Sequence, residues 1–172
     1  MRMRYASTFA SPIGALTAVV DEDAALTELR FAGQPPPDGV AWDDARCAHL
    51  RRELDEYFAG ERREFTVALR PRGTEWQQRV WAALLRIPYG TTIDYRALAA
   101  LAGNPRAVRA AGRANGTNPI PILIPCHRVI GANGGLTGYG GGLDAKAMLL
   151  RLEGVRVPDL IRARSPTPHR SP

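Results

Sequence analysis

"NPIPILIPCHRVIGANGGLTGYGGGL", residues 118–143, sets a cysteine beside a histidine after a run of branched apolar residues broken by prolines. Pro119, Pro121 and Pro125 each remove a backbone donor, so residues 118–125 cannot be an ordinary central strand. The expected form is an extended, stiff segment, buried through Ile122, Leu123 and Ile124, that delivers Cys126 to a fixed point. A lone cysteine more commonly packs as a small hydrophobe, and that reading stands beside a nucleophilic one. His127 favours the nucleophile. A thiol with a pKa near ~8.5 is mostly protonated at neutral pH, and a neighbouring imidazole or positive charge is what makes it a thiolate. Adjacent residues of an extended chain point to opposite sides, so a Cys126–His127 contact needs a kink or an intervening water. Cys-His hydrolases bring the pair from distant segments, which points away from protease chemistry. Arg128 adds positive potential, and a carboxylate is still needed to orient the imidazole. The second half offers Asp94, Asp144, Glu153 and Asp159; elimination leaves Glu153, at the end of the last helix, as the best placed.

The 172 residues suit one compact domain or two small ones sharing an interface. Two cysteines, Cys47 and Cys126, with no C-x-x-C spacing, suggest neither a disulfide framework nor a cysteine-rich zinc site. A reducing cytosol is the expected setting. No long apolar stretch occurs, and the first residues lack the apolar core of a secretory signal, so a cytoplasmic protein with no membrane partner is expected. Residues 1–86 carry 12 Arg against 13 Asp or Glu, a net of −1, whereas residues 87–172 reach +7. A basic C-terminal half beside a neutral N-terminal one fits a polyanion partner, nucleic acid first. Only Lys146 among 23 basic residues is a lysine, so compositional bias toward Arg is an alternative source of the total, though a poorer account of the asymmetry.

Upstream, "RYASTF", "ALTAVV" and "LTELRF" read as three strands of a β-meander separated by "SPIG" and "DEDA". Trp42 to Ala59 reads as a helix with Ala45, His49, Leu50, Leu54 and Phe58 near one stripe, and "EFTVAL" as a further short strand. In the second half, Thr74 with Gln77 forms a capping-box pattern ahead of Trp76, Val80, Ala83, Leu84 and Ile87 at helical spacing. Tyr95, Leu98, Ala99 and Ala102 line another helix closed by Gly103, and Asn104 with Pro105 opens the next. Two helices so joined suggest a helix-turn-helix. On the second of them Arg106, Arg109 and Arg113 share a face opposite Ala107, Ala110, Ala111 and Ala114. A solvated charged face is the plain alternative; the coincidence of helix, turn and charge favours DNA contact. "DAKAMLLRLEG" reads as a last helix with Asp144 as N-cap and Met148, Leu149 and Leu152 inward. The Pro- and Arg-rich residues 158–172 are expected to be disordered.

The 118–143 stretch, with its I-P-C-H-R-V core, resembles the active-site signature of the O6-alkylguanine-DNA alkyltransferases, also called methylated-DNA-protein-cysteine methyltransferases. "SPIG", "WQQRVW", "IPYGTTIDYRALAALAGNPRAVRAAGRANGTNP" and "KAMLLRLEG" extend the resemblance over about residues 5–157. It implies an α/β plus α fold: an N-terminal ribonuclease-H-like α/β domain over residues 1–70, packed on a C-terminal winged-helix-like, helix-turn-helix domain over 71–157. It also implies direct-reversal repair, in which an alkyl group on guanine O6, with thymine O4 left open, passes irreversibly to Cys126 in double-stranded DNA.

In the family's pattern Cys126 is the acceptor, His127 the water-relayed base and Glu153 the residue orienting it. Tyr95 and Lys146 match the hydroxyl and amine that protonate or polarise the base, and Asn118 the residue that fixes the cysteine loop. Chemistry on a base atom requires its extrusion from the stack. Arg109 matches the intercalating arginine finger, on a helix that family members set in the minor groove; Arg106 and Arg113 fall to phosphates. Tyr95, Ala110, Gly112 and Arg128 complete the implied DNA side, and Pro121, Val129, Tyr139, Gly140 and Gly141 the alkyl and base pocket. Gly140 stands where the family carries a serine-like residue, so a more open lid is expected. No cofactor or metal is expected: zinc-binding relatives use cysteines and histidines near the N-terminus, and Cys47 and His49, two apart on a helix, cannot easily share one ion. Cys47 reads as packing, with a second reactive thiol as the alternative. A monomer is expected, with cooperative coating of DNA left open. A lesion sensor without transfer is the competing reading; such relatives carry Trp where this chain has Cys126.

Overall fold

The structure, a computed structural model, describes residues 2–157; the expected disorder of 158–172 lies outside the described residues. The meander forms as its alternation predicts: β1 (Arg4–Phe9), β2 (Leu16–Asp21) and β3 (Leu26–Phe31) pair antiparallel in sequence. A two-residue β4 (Ala41–Trp42) adds parallel to β1, so the sheet order is β3-β2-β1-β4. Trp42 is therefore a strand residue and not the start of a helix. A 3-10 turn, Ala45–Cys47, leads into α1 (Ala48–Phe58). The buried stripe of α1 is Leu50, Leu54 and Tyr57 with Glu53, while Ala45 and His49 are exposed. The expected strand at 64–69 is reduced to a single bridge, Leu69 to Leu26. Its ladder is interrupted because the Thr66 amide donates to both carboxylate oxygens of the buried Glu53, at 3.1 and 2.9 Å.

The second half begins with α2 (Glu75–Leu84), whose Thr74–Gln77 capping box is fully formed. A two-residue β5 (Ile93–Asp94) runs into α3 (Tyr95–Leu101), capped by the Asp94 carboxylate on the Ala97 amide. Gly103, at φ +94°, ends that helix in a conformation that a side chain would resist. The next helix starts later than its sequence predicts. Asn104 takes the Arg106 amide in a local turn, and α4 runs Val108–Gly116 behind Ala107. Arg106 thus precedes the helix, while Arg109 and Arg113 stay on its exposed face and Ala111 and Ala114 are buried beneath. The final helix, α5 (Leu143–Leu152), is capped by Gly142; Asp144 makes no cap bond and sits in its first turn, and Met148 is 41% exposed rather than inward.

One apolar cluster runs through both halves, from Leu16, Val20 and Leu54 to Trp81, Leu98 and Ile124. The Leu29 amide of β3 donates to the Pro119 carbonyl at 2.9 Å, so the sheet's edge is tied to the cysteine segment. Trp81 donates from its indole to Ala114 at 2.9 Å, fixing α2 against α4.

Candidate functional site

The segment before the cysteine is buried but not extended. The Leu123 amide bonds back to Pro121 at 2.9 Å and the Cys126 amide to Ile124 at 2.8 Å, the i-to-i+2 spacing of γ-turns. Pro125, at φ −81° and ψ 64°, centres the relaxed form, whereas Ile122, at φ +73°, centres the strained one. A β-branched residue there is costly, about 1–3 kcal/mol, and the surroundings must hold it. Asn118 does much of this: its amide nitrogen donates to Ile124 O at 2.8 Å and its oxygen accepts from Ile120 N at 3.0 Å. The prolines exclude a central strand as expected, but by coiling the chain rather than stretching it.

Cys126, His127 and Arg128 then form one 3-10 turn, all three buried. A turn of about 120° per residue removes the opposite-sides problem posed by an extended chain. β6 (Val129–Ile130) follows and pairs parallel with β5. His127 Nε2 lies 2.6 Å from Glu153 Oε2, and a carboxylate there makes Nε2–H the donor. Nδ1 is then the basic nitrogen, buried and without a partner among the described residues. Glu153 also accepts from Tyr57 Oη at 2.6 Å and from Arg128 Nε at 2.7 Å and Nη2 at 3.2 Å. Burial would raise that carboxyl, but the bonds from His127, Arg128 and Tyr57 outweigh it and hold the pKa at about 2. Burial lowers His127 below its usual value, with Arg128 and Lys146 acting the same way and Glu153 opposing. Burial lifts the Cys126 thiol to about 11, partly offset by Asn118, the charge of Lys146 and nearby backbone amides.

Cys126 lines a cavity of about 290 Å³ together with Asn118, Pro121, Tyr139 and Gly140. A second cavity of about 450 Å³ shares Asn115, Gly116, Gly138, Tyr139 and Gly140 with it and reaches Tyr95 and Gly112 under α4. A thiol lining a recess that reaches beneath an arginine-bearing helix can receive a group carried in on an extruded base.

The expected residues are not all placed as the sequence predicts. Arg128 is 8% exposed, bonded to Glu153 and to Ile87 O at 2.8 Å, so its guanidinium is spent inside the protein and cannot reach a phosphate. Lys146 is fully buried, its Nζ donating to Val129 O at 2.6 Å and Thr137 O at 3.1 Å. It lines neither cavity, and its charge acts on the Cys126 thiol and the His127 imidazole. Val129 is likewise buried in β6, away from both cavities. Gly141 packs on Phe31 and opens onto a neighbouring groove. Gly140 lies beside the same ring, a Cβ there being 3.6 Å from Phe31 Cε2, so the N-terminal half closes what the missing side chain leaves open. Tyr95 hydrogen-bonds Thr137 through its hydroxyl. Arg106, Arg109 and Arg113 are exposed. Cys47 is buried, its thiol raised to about 11 by burial and by Asp43 and Asp44, and unlike Cys126 it lines neither cavity, which favours packing over reactivity.

Three contributors went unseen in the sequence: Tyr57, Phe31 and Asn115. A phenol on the buried stripe of α1 is a readable signal, because buried tyrosine hydroxyls need partners. Phe31 and Asn115 carry no such local mark.

Comparison with known proteins agrees with this geometry. Residues 3–71 match the ribonuclease-like domain, and residues 75–155 the DNA-binding domain, of 6-O-methylguanine DNA methyltransferase. The chain belongs to that family. A methylated-DNA–protein-cysteine methyltransferase of Mycobacterium bovis is 50% identical over 91% of this chain and 96% of its own length. The constitutive enzyme of that name from Bacillus subtilis is 44% identical over 88% and 96%. The crystal structure of Mycobacterium tuberculosis OGT in complex with DNA superposes at a TM-score of 0.82, with 50% identity, covering 87% of this chain and 92% of that one. This member of the family thus has the two-part architecture, with the cysteine turn on the DNA-binding part and its roof on the ribonuclease-like part.

Proposed function

We propose that this protein repairs alkylated DNA by moving an alkyl group from guanine O6 onto Cys126, as a methylated-DNA–protein-cysteine methyltransferase. The observation that carries the residue-level reading is Cys126 lining the recess beside α4, next to a histidine whose Nε2 is tethered to Glu153 and whose Nδ1 has no partner among the described residues. Arg109 enters the duplex and holds the gap while the damaged nucleotide occupies the recess; Arg106 and Arg113 bind phosphates, which position without reading sequence. The thiol proton passes through one water to His127 Nδ1, and Glu153 stabilises the imidazolium. The thiolate attacks the sp³ alkyl carbon, the S–C bond forms as the C–O bond breaks, and the electron pair leaves with the guanine. The base takes up a proton, with the Tyr95 hydroxyl at the recess wall as donor, so guanine is restored. The thioether has no route back to a thiol, which limits each molecule to one event. The boundary near residues 70 and 71 and a monomer in solution belong to this same reading.

The test is intact-protein mass and peptide mapping after mixing with a duplex bearing one O6-methylguanine. One added methyl on Cys126 with guanine restored is expected, and Cys126→Ala should bind the lesion without transfer. Binding by the native chain with no change in mass would overturn the reading.

A further inference from the structure

Tyr57 belongs to the N-terminal half, 96 residues from its partner, is fully buried, and donates to Glu153 Oε2 at 2.6 Å. That oxygen is the one that receives His127 Nε2, also at 2.6 Å, while Arg128 Nε takes the other at 2.7 Å. The phenol is no accidental neighbour. Its ring is packed edge-on to Phe58 and Tyr89 and tilted on Phe65, with centroids 5.4, 6.4 and 5.5 Å away, so the hydroxyl has one direction to point. Arg128 Nη2 also reaches Oε2, more weakly at 3.2 Å, so three donors share one carboxylate oxygen, and each reduces what the others receive.

Resting on the reading of Cys126 as alkyl acceptor, we propose that Tyr57 is a positioning residue of the transfer reaction, which sets through Glu153 how readily His127 takes up the thiol proton. With the phenol in place, part of the charge on Oε2 is already engaged, and the imidazolium is stabilised less. The base then stays neutral, and able to accept, to lower pH. The other groups facing this cluster are Arg128 and Cys126 on the same turn, Lys146 from α5, Tyr139 from the glycine-rich loop and Tyr89 from the α2–β5 connection. Arg128 and Lys146 also disfavour the imidazolium, so Tyr57 acts in the direction of its surroundings. Among the described residues it is the one titratable member of the cluster supplied by the ribonuclease-like part, and through it that part reaches the proton-transfer chain.

The experiment is the pH dependence of single-turnover transfer to Cys126 for the native chain and Tyr57→Phe, with lesion affinity and melting recorded alongside. Removing one donor should move the acid limb of the profile to higher pH by roughly one unit, with binding unchanged. A profile that superimposes on the native one, whatever the loss of rate or stability, would overturn the proposal and leave Tyr57 as packing. Site-specific 3-fluorotyrosine at position 57 is a stronger donor of the same shape and should move the limb the opposite way; no movement, or movement in the Phe direction, also refutes. Titration of the His127 ring by NMR in the same variants needs no transfer. It answers for Tyr57 even if the native chain moved no methyl group, an outcome that would refute the function proposed above and not this inference.

Discussion

Glu153→Gln isolates the charge at the centre of the site. The carboxylate accepts four hydrogen bonds, from Tyr57 Oη and His127 Nε2 at 2.6 Å and from Arg128 Nε and Nη2 at 2.7 and 3.2 Å. A carboxamide offers one accepting oxygen and turns an NH2 group toward the remaining donors, so at least one contact becomes donor against donor. Arg128 is buried and loses its counter-charge, which costs about 3–5 kcal/mol, or roughly 6–20 °C of melting temperature for a chain of this size. Loss of the orienting anion should lower single-turnover transfer about a hundredfold or more. The assay is thermal unfolding by circular dichroism, run beside Arg128→Met and the double variant. Removing the stranded guanidinium should restore part of the stability, leaving the double variant better than the sum of the singles by about 1–3 kcal/mol. A Gln variant that melts within a degree or two of the native chain, or strict additivity, would refute the idea that the carboxylate's charge holds this cluster together.

Acid should act through the same group. A carboxyl held at about 2 when folded contributes stability that is fully present above its unfolded pKa near ~4.3 and is lost as pH falls toward 2, roughly 3 kcal/mol in all. Urea midpoints between pH 5 and 2 should show the loss, and Glu153→Gln should flatten it. Gly141→Ala would place a Cβ 2.9 Å from Cδ1 and Cε1 of Phe31; a destabilisation of about 1–3 kcal/mol, relieved by adding Phe31→Leu, is expected, and no change would mean that the ring moves freely. Arg109→Ala should slow transfer on duplex far more than on single-stranded substrate while leaving nonspecific affinity nearly intact; an unchanged duplex rate would remove the finger role.

What the sequence revealed and what it hid follow from range. Alternation in 4–31 placed the meander because each strand's sides are set by its own side chains, and the Thr74–Gln77 cap was readable because its partners are three residues apart. The late start of α4 was not readable, since Asn104 has two local uses, as an N-cap or as a turn on the Arg106 amide, and the structure takes the second. Cys126, His127 and Glu153, which the structure brings together, were singled out in the sequence, the last by scarcity of acids as much as by resemblance. Arg128 was misread as a DNA contact because a sequence shows an arginine's charge but not whether a buried glutamate claims it. Tyr57 and Phe31 were missed for a related reason: both act across the join between the two halves, where no spacing rule operates.

That join explains a division of labour. The C-terminal half carries Cys126, His127 and the exposed arginines of α4, yet its cysteine rests on a turn strained at Ile122, and its glycine-rich loop has little side chain of its own with which to close the recess. β3 supplies both needs. Leu29 bonds the Pro119 carbonyl at the foot of the strained turn, and Phe31, meeting the Tyr139 ring edge-on at 5.4 Å, fills the space that Gly140 and Gly141 leave. α1 adds Tyr57 to the carboxylate behind the histidine. On the readings proposed above, the ribonuclease-like part thereby shapes the recess around Cys126 and, through Tyr57 on Glu153, bears on the proton affinity of His127. A variant of the sheet edge should therefore change transfer while the arginines of α4, and the grip on DNA, are untouched.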